Sequence, residues 1–320
     1  MSDDSSDLGY SLAVKTCRWE DTPALQPGQV LKDRYLLIKE IGVGGQSKVY
    51  KARDLVAYRA GLDNVDVALK LIWDNTDVQK DFVSLVHREA RRLRDLAHPN
   101  IVRVYDMDQT GALHFMVMEL LSGNPLSKVL KQKDQRQLEM QHVQRIVHDV
   151  GSALAYSHSK GIVHSDLKPG NIFINDDGSI TLIDFNISAP IAPHMREKEE
   201  STLKILVRLG AVTPAYASPQ QLQGADTCEA DDVFSFALLI YLCLAGHRPF
   251  GPKNALEAME AGVRPKRIEH VSSAQWKVLS QALAFEDEER TASIAEFVAG
   301  FQLASKQTTT GWLRSHLSWT

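Results

Sequence analysis

The stretch His164-Ser165-Asp166-Leu167-Lys168-Pro169-Gly170-Asn171 runs directly into Ile172-Phe173-Ile174-Asn175-Asp176-Asp177-Gly178-Ser179-Ile180-Thr181-Leu182-Ile183-Asp184-Phe185. A polar loop thus feeds two β-rich segments that flank Asp177-Gly178, and Asp-Gly between such segments is among the strongest short hairpin signals. With Asp177 and Gly178 as the central turn residues, the register puts Asn171 opposite Asp184, α-carbons about 4.5 to 5.5 Å apart. An amide oxygen and a carboxylate then sit side by side at one end of the hairpin, next to a third polar group, Asp166. Hard oxygen ligands gathered like this suit Mg²⁺, which binds one or two carboxylates and takes its remaining oxygens from phosphates and water.

The size and composition of the chain bound this reading. At 320 residues and 44% hydrophobic it can bury a sizeable core, as one large two-lobed unit or two small domains. A net charge of −4 argues against nucleic-acid binding as its main business. Cys17, Cys228 and Cys243 are odd in number and widely spaced, so they make neither a disulfide framework nor a zinc site, and a reducing, cytoplasmic setting fits best. The acidic, Ser-rich start, Met1 to Asp7, is not a signal peptide. The longest apolar run, Val233 to Ala245, is shorter than the ~20 residues of a membrane helix and reads as a buried core helix, so no membrane insertion is expected.

Working outward toward the N-terminus, residues 1–33 read as an extension that packs a few apolar side chains. From Tyr35 to Ile41 the pattern is a strand, and Gly42-Val43-Gly44-Gly45-Gln46-Ser47-Lys48-Val49-Tyr50 is a Gly-rich turn whose backbone can approach phosphate oxygens closely. Leu55 to Asp66 reads as a surface insertion. The strand Val65 to Ile72 holds one lysine, Lys70, a costly place for an unpaired ammonium. The helix predicted from about Val78 to Leu96 puts Glu89 on its apolar stripe with Phe82, Leu93 and Leu96. Two opposite charges, each on the buried side of its element, invite pairing.

Toward the C-terminus, a helix of period 3.6 from Gln141 to Ser159 ends at Lys160-Gly161, a good C-cap, and delivers the chain into the polar loop. Past Phe185, Asn186 to Val212 is a long polar excursion, and loops of this length inside a compact domain are usually functional or mobile. Thr213-Pro214-Ala215-Tyr216-Ala217-Ser218-Pro219-Gln220 closes it. Asp232 opens the apolar helix, and the last third is helical.

In this order the motifs resemble those of the protein kinases, and in particular the bacterial Ser/Thr kinases of eukaryotic type, in a cytosolic form. The HxDxxxxN loop with Asp184-Phe185 is similar to the catalytic loop and metal-binding motif of that family. Gly42 to Val49 resembles its G-x-G-x-x-G-x-V loop, Val67 to Lys70 with Glu89 its strand lysine and helix glutamate, and Thr213 to Gln220 its T-P-x-Y-x-A-P-E segment. The resemblance implies an α+β, two-lobed fold: a kinase domain over 34–305, with a β-rich lobe at about 34–119 and a helical lobe at about 122–305, followed by a tail at 306–320.

It also implies transfer of the γ-phosphoryl group of ATP, with Mg²⁺ or Mn²⁺, to Ser/Thr hydroxyls of protein substrates, and a cognate phosphatase as a partner. Asp166 and Lys168 would act at the hydroxyl and the moving phosphoryl group, and Asn171 and Asp184 would hold the metal. Lys70, fixed by Glu89, would hold the α- and β-phosphates. Ile41, Gly42, Gly44, Gly45, Ser47, Val49, Ala68, Met118, Glu119, Leu121 and Phe173 would surround the nucleotide. Arg290 would pair with the motif that closes the segment, and Asp232 would tether the catalytic loop.

Four departures from the family pattern stand out: Ser165 stands for an arginine, Asn186 for a glycine, Ser218-Pro219-Gln220 for Ala-Pro-Glu, and Ser47 for the third glycine. None removes a group that would touch metal, phosphate or the transferred proton. Two readings from other classes remain, a nucleotide-binding scaffold without turnover and a small-molecule phosphotransferase that shares the HxDxxxxN loop.

Overall fold

A computed structural model describes residues 25–43, 48–73, 93–111, 113–132, 137–185 and 213–306. Strands β1 (Val30–Leu31), β2 (Tyr35–Val43), β3 (Lys48–Asp54), β4 (Asp66–Trp73), β5 (Val104–Thr110) and β6 (Leu113–Glu119) form one antiparallel sheet in the order β1-β2-β3-β4-β6-β5. Alternation decides what each face carries. Val67, Leu69 and Leu71 of β4 join Phe115 and Val117 of β6, with Tyr35 and Leu37, in a core on one face. Ala68, Met116 and Met118, out of phase with these, face the other way and join the core of the larger lobe. Lys70 shares the phase of Ala68, so the alternation carries it toward the junction of the lobes.

The expected insertion between β3 and β4 contains a short helix, α1 (Leu55–Arg59), where sequence reading expected only a surface connection. Asp54 is its N-cap, accepting from the amides of Val56 and Ala57 while Arg34 donates to the same carboxylate at 2.7 Å. A side-chain cap of this kind stabilises a helix start by about 1 kcal/mol.

The second lobe comprises α2 (Leu126–Gln132), α3 (Met140–Ser159), α4 (Pro219–Leu222), α5 (Glu229–Ala245), α6 (Ala255–Glu260), α7 (Ser273–Ala282) and α8 (Ile294–Lys306), with a small sheet of β7 (Gly123–Pro125), β8 (Ile172–Asn175) and β9 (Ile180–Leu182). α5 carries the run read as a core helix and buries Val233, Phe234, Phe236, Leu238, Leu239 and Ile240 almost completely. Each such side chain contributes about 1.5 to 3 kcal/mol relative to exposure. α3 packs Val143, Ile146, Val147, Val150 and Leu154 into the same core. Where α3 meets α8, a Cβ on Gly151 would lie 2.3 Å from the Val298 side chain, so only glycine permits this approach. Among the described residues no helix is long and apolar enough to cross a membrane.

The hairpin differs from its expected register. Ile172 pairs with Leu182, Phe173 with Thr181 and Ile174 with Ile180, one residue out of the predicted alignment. The cause is the turn: Asn175 donates to Ser179 O, Gly178 donates back to Asn175 O, and Gly178 has φ 79°. Asp176, Asp177 and Gly178 therefore make a three-residue loop with glycine in the left-handed position, the next commonest hairpin connection after the two-residue turns. Asn171 consequently faces Ile183, whose amide donates to Asn171 O at 2.8 Å. Asp184 is not its cross-strand partner.

Candidate active site

The site lies where the two lobes meet, and its floor is the loop between α3 and β8. Asp232, 0% exposed in the first turns of α5, accepts from the backbone amides of His164 at 2.7 Å and Ser165 at 2.9 Å. His158 Nε2 stands 2.8 Å from the same carboxylate. Burial alone would raise the Asp232 carboxyl, but the hydrogen bond and charge of His158 hold it below the ordinary range. Burial alone would lower His158, and Asp232, with Glu229 behind it, raises its pKa instead. The helix itself is capped by Cys228 and Asp231, which leaves Asp232 free for the loop.

On this floor Asp166, 5% exposed, accepts from the Thr213 amide at 3.1 Å and from Lys168 Nζ at 2.5 Å. Lys168 Nζ also donates to Thr213 Oγ1 at 2.8 Å. The loop and the segment-closing motif are thereby joined through the groups expected to work on the hydroxyl. Asn171 donates through Nδ2 to Asp166 O at 2.9 Å, with a longer contact of 3.5 Å to Asp184 O. Its amide oxygen is left as an acceptor.

Asp184 reaches the site by a bend rather than by strand pairing. Its φ is 53°, so the chain turns sharply past β9, and its Oδ1 meets Lys70 Nζ at 2.8 Å. Burial pushes its carboxyl up, yet the charge and hydrogen bond of Lys70 more than cancel this and keep it ionised. Phe185, 1% exposed, packs on the His164 ring at a centroid distance of 4.8 Å. Burial lowers the pKa of that imidazole and keeps it neutral.

Of the residues expected around a nucleotide, Met118 lines the cleft together with Lys70 and Asp184. Ala68 pairs with Met118 across β4 and β6, and Val49 pairs with Lys70 across β3 and β4. Ala68 and Met118 are buried, Val49, Gly42, Leu121 and Phe173 are half-buried, and Ile41 is exposed. Glu119 spends its amide on Arg103 O at 2.9 Å. At the end of the linker Gly123 has φ 144°, and a Cβ there would lie 2.0 Å from Ile174 O, so glycine is required. Gly44, Gly45, Ser47 and Glu89, and the segment from Asn186 to Val212, lie outside the described residues.

An ionised carboxylate and an amide oxygen are hard donors, and among the described residues no cluster of three or more His, Cys, Asp or Glu could hold a metal by itself. This set therefore fits a hard divalent cation that draws its other ligands from phosphate and water.

Arg290, 4% exposed, donates to Gln220 Oε1 at 2.9 Å and to the carbonyls of Ala230, Ala284 and Phe285, as the closing motif required. Three groups were missed by sequence reading. Ser218 Oγ caps α4, accepts from the Gln221 amide and donates to Asp231 Oδ1; Gln221 Nε2 donates to Ser165 O at 2.9 Å. The pattern Ser-x-x-Gln is a capping-box signature and marked the helix start. The partner of Gln221 in the catalytic loop had no local signal.

The architecture is that of a protein-kinase-like fold: the chain superposes on the crystal structure of the Mycobacterium tuberculosis PknI kinase domain with a TM-score of 0.67 at 23% identity, covering 88% of this chain and all of that one. In sequence it is 33% identical over 223 residues to a probable serine/threonine-protein kinase of Clostridium acetobutylicum, covering 70% of this chain and 32% of the relative. It is also 33% identical over 238 residues to serine/threonine-protein kinase PknA of M. tuberculosis, covering 72% of this chain and 51% of the relative. The chain therefore spans about a third to a half of the length of these curated relatives. Residues 35–300 match the protein kinase domain, and the chain belongs to the protein kinase family. Membership implies use of ATP with a divalent metal.

Proposed function

We propose that this chain transfers the γ-phosphoryl group of ATP to serine or threonine hydroxyls of protein substrates. The observation that carries the reading is the convergence at one cleft of Lys70 from the small lobe with Asp184, Asn171, Asp166 and Lys168 from the large one. Phosphoryl transfer needs positioning and charge neutralisation more than covalent chemistry, and these groups supply both. Asp166, kept in place by the Thr213 amide, orients the acceptor hydroxyl and takes its proton. Lys168, which already spans Asp166 and Thr213, steadies the transferred group and releases Asp166 Oδ2 for the hydroxyl. Lys70 holds the α- and β-phosphates. Asn171 and Asp184 would hold Mg²⁺, or Mn²⁺ in its place, and the bound ion supplies positive charge to the phosphate oxygens. Ala68, Val49, Met118 and Phe173 would enclose the adenine, with Ile41, Gly42, Gly44, Gly45 and Ser47 above and the backbone of Glu119 and Leu121 at its edge. Glu89 would fix Lys70.

The Lys168 to Thr213 contact and the serine/threonine kinase names of the relatives support Ser/Thr over Tyr. A cytoplasmic setting and a cognate phosphatase complete the reading. The test incubates purified protein with Mg-ATP and a Ser/Thr peptide mixture, beside choline and an aminoglycoside as acceptors, with and without Asp166→Asn. Mass spectrometry should find phosphate on protein or peptide serine or threonine, lost in the variant. Phosphate on the small acceptors alone, or on nothing despite bound ATP, would overturn it.

A further inference from the structure

We propose that Gln221 is a positioning residue for Asp166, acting through the backbone of Ser165; this rests on the kinase reading above. Ser165 has φ 68°, a left-handed conformation that a non-glycine residue adopts only under constraint. It is 5% exposed, and among the described residues its own hydroxyl has no hydrogen-bond partner, so no side-chain hydrogen bond from them holds it. The constraint is applied to its backbone from two sides. Its amide is held by Asp232 Oδ1 at 2.9 Å, and its carbonyl by Gln221 Nε2 at 2.9 Å. The next residue is Asp166.

Gln221 is itself fixed. It is 1% exposed, its Oε1 accepts from the Ser218 amide at 3.1 Å, and its own amide donates to Ser218 Oγ at 3.0 Å. Ser218 Oγ is tied in turn to Asp231 Oδ1. Adjacent carboxylates at the start of α5 thus serve the two sides: Asp232 anchors the amides of the catalytic loop, and Asp231 anchors the helix that carries Gln221. The closing end of the segment is linked to the catalytic aspartate by a buried amide whose oxygen and nitrogen bond two different stretches of backbone. Among the described residues, position 165 makes its hydrogen bonds through its backbone alone. The Gln221 tie is thus the device that keeps the loop in its working shape from the side of the segment.

The test compares the parent with Gln221→Leu, which keeps the volume and removes the amide, with Ser165→Gly, and with the double variant. Glycine takes positive φ without strain, so it relaxes the need for the tie. Steady-state kinetics should show kcat reduced about tenfold or more in Gln221→Leu, because small misplacements of a reacting group are costly. KM for ATP should stay within about twofold, since no nucleotide contact changes. In the Ser165→Gly background the same substitution should cost less than about threefold, a coupling that a general packing defect would not produce. Hydrogen exchange of the 164–166 amides, measured without turnover, should speed up in Gln221→Leu while α8 keeps its protection. Gln221→Glu, which retains the Oε1 bond to Ser218 and sets an oxygen against Ser165 O, should behave like the leucine variant and serves if that one does not fold. Equal losses in both backgrounds with unchanged exchange at 164–166, or an unchanged kcat, would overturn the proposal. A parent protein without phosphoryl transfer would count against the kinase reading, and the exchange measurement would then decide the tie by itself.

Discussion

Lys70 Nζ and Asp184 Oδ1 lie 2.8 Å apart, bringing together an interior strand of the small lobe and the residue that leaves the hairpin of the large one. The two side chains keep 16% and 34% of their surface open, so the pair is partly desolvated yet reachable by a ligand entering the cleft. Lysine is a compact cation on a flexible stem and can serve a carboxylate and phosphates in turn.

Replacing Lys70 by Met keeps the packing of that stem and removes the charge. Phosphoryl transfer should fall below detection while the thermal midpoint stays close to that of the parent. The Asp184 carboxyl, no longer opposed by Lys70, should titrate higher. Parent-like turnover in this variant would sink the role given to Lys70.

Asp184→Ala removes the ionised oxygen beside Asn171. Binding of ATP measured calorimetrically with Mg²⁺ should weaken sharply, whereas adenosine, which carries no phosphate, should bind almost as before. An unchanged dependence of ATP affinity on Mg²⁺ would show that the cation is held elsewhere.

The groups of this site were legible because each is an expensive side chain at a fixed place: a lysine inside an apolar strand, carboxylates around a loop, an arginine late in a helical region. Register was not legible to one residue. Asp-Gly signals a hairpin equally when Gly178 closes a three-residue loop, and a slip of one residue exchanges the faces of a strand. Asp184 reaches the site only because positive φ redirects it, which no spacing rule encodes. Nor does a pair of adjacent aspartates reveal that Asp231 serves α4 and Asp232 the catalytic loop. That division depends on which segments arrive at the start of α5 from far away in the chain.

The buried His158–Asp232 pair makes stability depend on pH with a definite sign. His158 titrates above its ordinary 6.5 in the folded protein, so its contribution is full below that value and is lost as pH rises through the raised pKa. Asp232 titrates below its ordinary 3.8, so its contribution is present above that value and is lost as pH falls through the depressed pKa. The pair is therefore strongest between these limits. Thermal unfolding followed upward from pH 6 should show a falling midpoint in the parent and a flatter profile in His158→Gln. Parallel profiles would remove the pair from the account.

Arg290 is a buried cation whose hydrogen bonds among the described residues go to neutral acceptors, and burial lowers its pKa. Gln220→Glu would put an ionised acceptor at the 2.9 Å contact while giving up the Gln220 Nε2 bond to Phe285 O, which Arg290 Nη2 also reaches. The present bond already has one charged partner, the guanidinium, and falls among those that contribute about 1.5 to 3 kcal/mol; a carboxylate would add the attraction of an opposite charge and give up the about 1 kcal/mol of the amide bond to Phe285 O. Urea unfolding should therefore show a net gain of less than about 1 kcal/mol, and a loss would mean that the neutral amide fits this site better.

If the chain acts as proposed, Ser165 bears on its control. In kinases with an arginine before the catalytic aspartate, a phosphate on the activation segment neutralises that guanidinium and orders the segment. Here the position carries a buried hydroxyl, and the adjoining backbone is already held by Asp232 and Gln221. The closing end of the segment reaches Asp166 directly, through the Thr213 amide, without any phosphate. Phosphorylation of Ser201 or Thr202 should accordingly add little ordering energy at this place, with Lys204 and Arg208 among the cations of the same segment that could receive it. Protein treated with a phosphatase should phosphorylate an external substrate at an initial rate within about threefold of the autophosphorylated form, well short of the effects of ordering an activation loop. A lag followed by acceleration of about tenfold or more, abolished in a Ser201→Ala/Thr202→Ala double variant, would mean that loop phosphorylation gates this kinase despite Ser165.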